Sequence, residues 1–303
     1  MDQTQRTAIA EIIPEGVRFD CKMDQYTTFH VGGRADAVCF PDNPEQLRQL
    51  LSYLSREKLP RLIVGKGSNL LVRDGGIRSA VIILKGGLAA VGRNGSNEQA
   101  VYAWGGLAIT ELLSFCSLNG LAGLEFLAGI PGSVGGAVAM NAGAFGEEIG
   151  QMVKDVQLIT GDGKTVLRDS SQLSFSYRES SIPKGTVILK VRLELKKGQP
   201  DAIRRKITDH LKKRKASQPL DFHNGGSIFR NPPGDFAGRL IDQAGLKGKR
   251  IGDAMISPEH ANFIINMGSA RAEDILALME LARKRVSEEM GIELEPEIRV
   301  VGE

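Results

Sequence analysis

Aromatic residues and net charge are both scarce in this chain of 303 residues. Phe, Trp and Tyr make up 5% of the sequence, too little for the stacking platforms on which single-strand nucleic-acid binders hold successive bases. Lys and Arg number 39 against 36 Asp and Glu, so the net charge is +3. A broad basic surface for nucleic acid is therefore not expected, and any anionic ligand must be met by a local site.

Cysteine is also rare. Cys21, Cys39 and Cys116 are odd in number and lie far apart without a C-x-x-C pair, which argues against a disulfide framework or a zinc site and predicts buried, reduced thiols. No apolar run approaches the length of a membrane span, and the N-terminal stretch MDQTQRTAIAEIIPEG lacks the apolar core of a signal peptide. We therefore expect a soluble, cytoplasmic protein with no membrane partner.

Glycine is abundant instead, with 36 residues, many of them in EFLAGIPGSVGGAVAMNAGAFG at 125–146. Glycine inside a helix or strand costs about 0.5–1 kcal/mol relative to alanine, so we expect this stretch to form neither. Backbone N–H groups in glycine-rich turns bind anions. The stretch is predicted to wrap a phosphorylated cofactor; the alternative is a tightly packed helix–loop crossing without a ligand. The residues predicted to do so are Gly129, Ser133, Gly135, Gly136, Ala137 and Asn141.

Several ordinary elements surround this stretch. Asn43 and Pro44 begin a predicted helix with leucines at helical spacing, and RLIVG (61–65) and AVIIL (80–84) indicate strands. A second helix is predicted from Ala272 to Met290, capped by Gly291. Residues 201–215 form a strongly basic helix that suggests nucleic acid if taken alone. Because the net charge is only +3, a solvated helix face is favoured.

Two glycine motifs resemble nucleotide-binding fingerprints but do not complete them. Gly65-x-Gly67 follows a predicted strand, yet it lacks the third glycine, the long helix and the acidic residue of a Rossmann motif. GDGKT at 161–165 lacks the first glycine of a P-loop, because Leu158 stands at that position. It is predicted to be a hairpin turn.

Three polar segments are candidates for a functional site. SYRES carries Tyr177 and Arg178, for which exposure on an ordinary surface is the alternative. NGGSIFRNPP presents Ser227 in a turn fixed by glycines and ended by proline. ELEPEIRVVG is predicted to be a strand in which Glu297 lies among apolar neighbours, where a carboxylate is costly unless it is paired or functional.

In order along nearly the whole chain, these segments resemble the UDP-N-acetylenolpyruvoylglucosamine reductase family. The motifs that carry the resemblance are TTFHVGGRADAV, VGKGSNLLVRDGG, EFLAGIPGSVGGAVAMNAGAFGEEI, SYRES, GGSIFRNPPGDFAGRLIDQAGLKG, SPEHANFIIN and LEPEIRVVG. The resemblance implies an α+β protein with an FAD-binding fold of the vanillyl-alcohol-oxidase/PCMH type. This fold would comprise subdomains 1–85 and 86–200 and be followed by a C-terminal α+β substrate-binding domain, 201–303. The chain resembles the shorter branch of the family, which lacks an extra loop carrying a tyrosine.

The same resemblance implies FAD as the cofactor and NADPH as the co-substrate. FAD would lie against the segment after the strand RLIV and against the glycine-rich stretch, with one arginine from the basic helix. The cofactor-binding residues implied are Gly65, Lys66, Gly67, Ser68, Asn69, Leu70, Gly129, Ile130, Pro131, Ser133, Gly135, Gly136, Ala137, Asn141, Gly143 and Arg214.

The implied reaction reduces UDP-N-acetylglucosamine enolpyruvate to UDP-N-acetylmuramate, in the synthesis of peptidoglycan precursors. Hydride from the flavin goes to the terminal alkene carbon, and negative charge develops on the adjacent carbon and its carboxylate. Arg178 and Glu297 would flank that carboxylate, and Ser227 would protonate the carbon. Further residues are implied near the substrate's diphosphate and sugar: Tyr177, Arg230, Asn231 and His260, with Lys247 and basic residues of 204–215 as candidates for neutralising the diphosphate. The protein is expected to be a monomer.

Two other functions fit parts of the sequence. An FAD-dependent sugar or alcohol oxidase of the same superfamily would explain the cofactor motifs but not SYRES, GGSIFRNP and LEPEIRVVG together. Such oxidases often tether FAD through a histidine, and His30 is a candidate, although an ordinary packed or capping histidine is favoured. A non-catalytic nucleotide-binding or nucleic-acid-binding protein would use the basic helix, but Arg178, Ser227 and Glu297 would then have no role.

Overall fold

A computed structural model describes residues 1–93 and 97–303 of the chain. The chain divides into two compact units, each assembled from three separate segments. Unit 1 comprises Met1–Phe19, Asp36–Gly65 and Ser79–Lys212, and unit 2 comprises Asp20–Ala35, Lys66–Arg78 and Lys213–Glu303. The three-part division with boundaries at 85 and 200 stays a prediction.

Seven α-helices lie within the described residues. They are α1 Gln3–Ile12, α2 Pro44–Arg56, α3 Ile109–Leu118, α4 Val134–Ala139, α5 Pro200–Lys215, α6 Ala237–Gln243 and α7 Ala272–Met290. Among the described residues, no helix combines the length and the apolar character that crossing a membrane requires.

The strands of the described residues are mostly short. They are β1 Val17–Lys22, β2 Arg34–Cys39, β3 Arg61–Val64, β4 Leu70–Val72, β5 Ile77–Ile83, β6 Val91–Gly92, β7 Ala100–Trp104, β8 Leu121–Ala122, β9 Gly143–Ala144, β10 Glu147–Glu148, β11 Val153–Ile159, β12 Thr165–Asp169, β13 Phe175–Ser176, β14 Glu179–Ser180, β15 Val187–Glu194, β16 Lys196–Lys197, β17 His223–Asn224, β18 Arg250–Ile251, β19 Ala254–Ile256, β20 Ile264–Asn266 and β21 Arg299–Val301.

Unit 1 is built around a five-stranded sheet of order β12-β11-β15-β7-β6. Its longest strand, β15, alternates between buried and half-buried residues from Leu189 to Glu194, as expected of a strand with one face in the core. The predicted hairpin at GDGKT is confirmed, because β11 and β12 pair antiparallel on either side of it, with Ile159 opposite Thr165. Fully buried Val101, Phe126 and Val191 belong to the apolar core of this sheet.

A second sheet has the order β1-β2-β5-β3, with β3 and β5 parallel. The helix predicted to start at Asn43 and Pro44 is confirmed as α2, because the Asn43 side chain accepts a hydrogen bond from the Gln46 N–H at 3.0 Å. Such a cap satisfies a donor that the first helical turn leaves without an intrahelical partner. The predicted leucines of α2 pack in one fully buried cluster with Cys39 and Ile82.

Unit 2 contains a four-stranded sheet of order β17-β20-β19-β18 together with α6 and α7. The helix predicted from Ala272 to Met290 is confirmed at both ends as α7, and Gly291 closes it with a left-handed φ of 68°. Both carboxylate oxygens of Asp74 accept hydrogen bonds from the first-turn N–H groups of Ala272 and Glu273, each at 3.0 Å. A negative charge at this end of a helix is favourable.

The glycine-rich stretch differs from its prediction. It contains α4 and the short strand β9, so the expectation that it forms neither helix nor strand is wrong. Two features compensate for the glycines in this helix. The Ser133 side chain caps it, and Gly135 packs closely where a side chain would be crowded. A Cβ on Gly135 would lie 3.0 Å from the carbonyl oxygen of Gly105, so close packing repays the intrinsic cost of glycine in a helix.

The prediction of buried thiols is confirmed for two cysteines and wrong for the third. Burial raises the pKa of the Cys39 thiol to about 12, and burial together with Glu125 raises that of Cys116 to about 12. Cys21 is half-buried, with its Sγ 3.6 Å from the Tyr26 hydroxyl. It lies on the edge strand β1, where residues alternate between half-buried and exposed.

Candidate active site

Two segments predicted to hold the cofactor lie against each other in unit 1. A Cβ on Gly65, at the end of β3, would lie 2.4 Å from the Ser133 Oγ. That hydroxyl is itself buried and accepts a hydrogen bond from the Gly136 N–H at 3.3 Å. Gly65 is therefore required for the close approach of the two segments, and Ser133 acts first as the cap of α4.

Neighbouring glycines of the stretch differ in what surrounds them. Gly135 packs on Gly105, as described above. Gly136 is exposed, and a Cβ there would meet only the Ser133 Oγ at 3.4 Å, an ordinary contact distance. Open space beside exposed backbone is what a cofactor pressed against the chain needs. The residues present thus fit a bound dinucleotide, with Gly136 on the open side and Gly135 on the packed side.

This difference gives a first testable prediction. Gly136→Leu is expected to keep the fold, since leucine favours helix, but to lower the affinity for FAD more than about tenfold, or about 1.4 kcal/mol. Gly136→Ala, which makes only an ordinary contact, is the matched control and should retain FAD. Flavin absorbance of the purified variants, with thermal unfolding recorded beside it, checks both. Full flavin content in Gly136→Leu would show that the cofactor does not bind against Gly136.

The remainder of the segment after β3 belongs to unit 2. Gly67 has a left-handed φ of 65°, and a Cβ there would lie 2.0 Å from the Tyr26 carbonyl oxygen, so only glycine fits. The Asn69 amide nitrogen donates to the main-chain carbonyl of Glu297 at 3.1 Å. Leu70 pairs with Arg299 in the parallel ladder of β4 and β21. A predicted cofactor segment therefore runs beside a predicted catalytic residue.

Ser227 and Glu297 lie on adjoining segments of unit 2. The Glu297 N–H donates to the Ile228 carbonyl at 2.8 Å, and Phe229 and Pro296 form an antiparallel bridge. Glu297 is half-buried and precedes β21, so the expectation that it lies within the last strand is wrong. Pro296 has no N–H to donate to a continuing ladder, which fits the start of the strand beyond it.

Sequence reasoning missed the residues that fix the turn carrying Ser227. Thr28 donates its hydroxyl to the Asn224 carbonyl at 2.6 Å, and the Asn224 side chain accepts from the Gly226 N–H at 2.9 Å. The buried Asn262 side chain accepts from the Phe229 N–H at 2.9 Å and donates to the Phe229 carbonyl at 2.8 Å. The sequence signal that could have identified Asn262 is the presence of a polar residue inside the otherwise apolar run ANFII. A buried amide needs such partners.

Arg178 occupies the turn of a tight hairpin in unit 1. Strands β13 and β14 pair with Ser176 opposite Glu179, which leaves Tyr177 and Arg178 at the turn. Arg178 has a left-handed φ of 60°, uncommon for a non-glycine residue. Its guanidinium donates to the Gly143 carbonyl at 3.1 Å and lies 5.1 Å from the centre of the Tyr177 ring.

The Asn141 side chain is buried and forms its hydrogen bonds within the protein. It is fully buried, and its amide donates to Glu148 at 2.6 Å and to the Ser176 carbonyl at 2.9 Å. Its carbonyl oxygen accepts from the Gly150 N–H at 3.0 Å. The side chain therefore supports the Arg178 hairpin, and its predicted cofactor contact stays a prediction for its main chain.

Three predicted substrate residues lie in unit 2, and one of them, Asn231, contacts the first residue of α6. The Asn231 side-chain oxygen accepts from the Ala237 N–H at 3.0 Å, and the Arg230 N–H donates to the Glu295 carbonyl at 2.9 Å. His260 Nδ1 accepts from the Asn262 N–H at 3.2 Å. Burial lowers the pKa of His260, and Lys247 adds to the effect. This shift favours the neutral form of His260, and because Nδ1 accepts a hydrogen bond, Nε2 is the ring nitrogen that can donate.

Two of the predicted basic groups have acidic neighbours. Lys247 forms an ion pair with Asp242 at 2.7 Å, and Arg204 forms one with Asp201 at 2.7 Å. Arg214 donates to Gln218 at 3.3 Å. The positive charges of Lys247 and Arg204 are thus partly compensated, whereas this contact of Arg214 is with a neutral amide.

His30 stacks on His223. Their ring centroids lie 3.7 Å apart and the two planes differ by 11°. Both residues are exposed, so the favoured interpretation of His30 as an ordinary packed or capping histidine stays a prediction.

Two parts of the chain match models of known protein families. Residues 35–167 match the model of an FAD binding domain, and residues 218–301 match that of the UDP-N-acetylenolpyruvoylglucosamine reductase C-terminal domain. The chain is 43% identical to UDP-N-acetylenolpyruvoylglucosamine reductase of Syntrophus aciditrophicus over 95% of this chain and 92% of that protein.

Solved structures extend the comparison. The crystal structure of the corresponding reductase from Thermus caldophilus is similar at a TM-score of 0.81 and 38% identity, covering 94% of this chain and all of that one. An alkyldihydroxyacetonephosphate synthase structure shares the fold at a TM-score of 0.51 and 15% identity, over 65% of this chain and 41% of that one. The predicted α+β fold class with an FAD-binding domain is confirmed.

Proposed function

Because the chain belongs to the UDP-N-acetylenolpyruvoylglucosamine reductase family, we propose that it reduces UDP-N-acetylglucosamine enolpyruvate to UDP-N-acetylmuramate with NADPH. One observation carries the proposal for the chemistry. Ser227 and Glu297, distant in sequence, lie on adjoining segments joined by the 2.8 Å hydrogen bond from the Glu297 N–H to the Ile228 carbonyl. Asn69, from a predicted cofactor segment, donates to the same residue.

FAD, when bound, would supply the hydride for the terminal alkene carbon, and NADPH would replenish that hydride. The residues proposed to hold FAD are those of 65–70 and of the glycine-rich stretch, with Arg214. Gly136 supports this assignment because it is exposed and has open space where a side chain would be. Gly65 supports it because its missing side chain lets two cofactor segments touch.

Ser227 is proposed to donate a proton to the carbon beside the substrate carboxylate. A hydroxyl is a weak acid, so the transfer needs a strongly basic carbon within hydrogen-bond reach. The turn is suited to hold the hydroxyl there, because Asn224 fixes Gly226 on one side and Asn262 fixes Phe229 on the other. The serine returns to its neutral form by taking a proton from solvent.

Arg178 is proposed to bind the substrate carboxylate, where negative charge builds up during the reaction. Glu297 is proposed to complete the clamp as a protonated carboxyl group or as one that shares a proton, because an ionised carboxylate can only accept hydrogen bonds. Preorganised donors aimed at such charge lower the barrier because they need no reorganisation when the charge appears. The hydrogen bond of Arg178 to the Gly143 carbonyl orients the guanidinium before substrate binds. His260, neutral and protonated on Nε2, is proposed as a donor to the diphosphate together with Asn231 and Tyr177.

We further propose that the enzyme is a cytoplasmic monomer. Free thiols at all three cysteines are typical of a reducing compartment. Light scattering of the protein as it elutes from a size-exclusion column is expected to give a mass close to the 32.7 kDa of one chain.

The proposed reaction predicts a fixed stoichiometry. With NADPH and the enolpyruvyl substrate, one NADPH is expected to disappear for each UDP-N-acetylmuramate formed, and mass spectrometry identifies the product. Oxygen consumption is followed in the same mixture. NADPH oxidation that depends on oxygen, with the enolpyruvyl substrate unchanged, would instead favour an oxidase.

A further inference from the structure

We propose that His210 of the basic helix α5 is a positioning residue for Arg178, acting through Phe145 and the hairpin of β9 and β10. This inference rests on the proposed function, because it concerns the reduction of the enolpyruvyl substrate. It assigns a role to a histidine of this helix for which the sequence analysis names none.

Arg178 depends on the β9 strand for its orientation. Its guanidinium donates to the main-chain carbonyl of Gly143, the first residue of β9, at 3.1 Å. Strand β10 pairs antiparallel with β9, with Glu148 opposite Gly143 and Glu147 opposite Ala144. Any shift of this hairpin therefore shifts the oxygen that fixes the guanidinium.

The tip of the hairpin is Phe145-Gly146, and both residues have left-handed φ values, 55° and 83°. Two-residue hairpin turns of this kind require positive φ at both central residues, and the conformation is costly for phenylalanine. The His210 ring packs against this Phe145 ring, with the two centroids 4.2 Å apart and the planes inclined by 23°. His210 is 7% exposed, whereas Phe145 is 48% exposed, so a buried ring anchors an exposed one.

A second contact joins the same helix to the same hairpin. Lys206, one helical turn before His210, lies 3.3 Å from the Glu147 carboxylate of β10 and 3.5 Å from buried Glu125. Residues four apart share a helix face, so Lys206 and His210 together hold both sides of the tip. The stacked rings carry most of the orientation, because half-exposed ion pairs contribute little on their own.

The closing experiment separates the two half-reactions in wild-type and His210→Ala proteins. Misplacement of a catalytic group by about 1 Å can cost about a hundredfold in rate, so we expect oxidation of the reduced flavin by the enolpyruvyl substrate to slow about tenfold or more. Reduction of the flavin by NADPH should be unchanged, because NADPH has no enolpyruvyl carboxylate for Arg178 to bind. Phe145→Ala, at an exposed site, should reproduce the defect, and the double variant should add nothing further.

Rescue and control variants distinguish a positioning role of His210 from a purely structural one. His210→Phe keeps a stacking ring and should restore most of the rate, whereas Leu211→Ala, at the next and exposed residue of α5, should affect neither half-reaction. A wild-type rate of reoxidation in His210→Ala and Phe145→Ala would overturn the proposal. So would an equal fall in both half-reactions accompanied by a lower melting temperature. A wild-type protein that never reacts with the enolpyruvyl substrate would instead contradict the proposed function.

Discussion

Ser227→Ala is expected to leave reduction of the flavin by NADPH intact while slowing reduction of the enolpyruvyl substrate by about 10²–10⁴-fold, the typical contribution of a positioned acid. Alanine removes the proton donor and little else, because the turn is fixed by Asn224 and Asn262 rather than by the serine side chain. Stopped-flow absorbance of the flavin, first with NADPH and then with the enolpyruvyl substrate, measures the two steps separately.

The matched control for this variant is Ser269→Ala, in an exposed turn of unit 2 where the backbone N–H, not the hydroxyl, donates to Asp253. It should match the wild type in both steps. If Ser227→Ala reoxidises at the wild-type rate, the proton comes from another group and the assignment of Ser227 is wrong.

Arg178→Lys is expected to slow the same step by about 10²–10³-fold, the usual loss when one donor to developing charge is removed. Lysine keeps the charge but not the planar fork that binds a carboxylate through parallel hydrogen bonds. It also loses the fixed geometry that the bond to the Gly143 carbonyl gives the guanidinium. The affinity for NADPH should be unaffected, which titration of the oxidised protein can check.

Arg168→Lys provides the corresponding control, because Arg168 is an exposed residue of β12 in the same unit. The two variants make the same chemical change, so a shared defect would point to an effect of lysine on folding. A rate for Arg178→Lys equal to that of Arg168→Lys would remove Arg178 from the proposed chemistry.

Elements with strong local signals were predicted well from the sequence. Asn43 and Pro44 mark the start of α2 and Gly291 marks the end of α7, because capping and left-handed glycine are properties of a few neighbouring residues. The GDGKT turn was likewise predicted because the missing first glycine at Leu158 excluded a phosphate loop.

Features that depend on distant residues could not be predicted in this way. Helix α4 was missed because glycine propensity opposes it, and the compensating contact of Gly135 comes from Gly105, in another segment. Glu297 was placed inside the last strand, whereas that segment first pairs with the Ser227 turn through Phe229 and Pro296. Tertiary contacts override local preference at both places.

The candidate site shows the same difference between local signals and contacts with distant residues. Its motif residues were predicted by resemblance, but the residues that hold the motifs in place were not. Asn262, Thr28 and His210 act through hydrogen bonds or ring contacts with partners far along the chain. The many lysines and arginines of α5 indicated a solvated face and gave no sign that the His210 ring is buried.

An anaerobic flavin spectrum tests the central claim most directly. The purified protein is expected to show an oxidised flavin band that bleaches with NADPH and returns on addition of UDP-N-acetylglucosamine enolpyruvate, with no oxygen present. Absence of a flavin band after incubation with FAD would contradict the account. A band that bleaches but returns only with oxygen would contradict the proposed substrate and leave the FAD-binding fold in place.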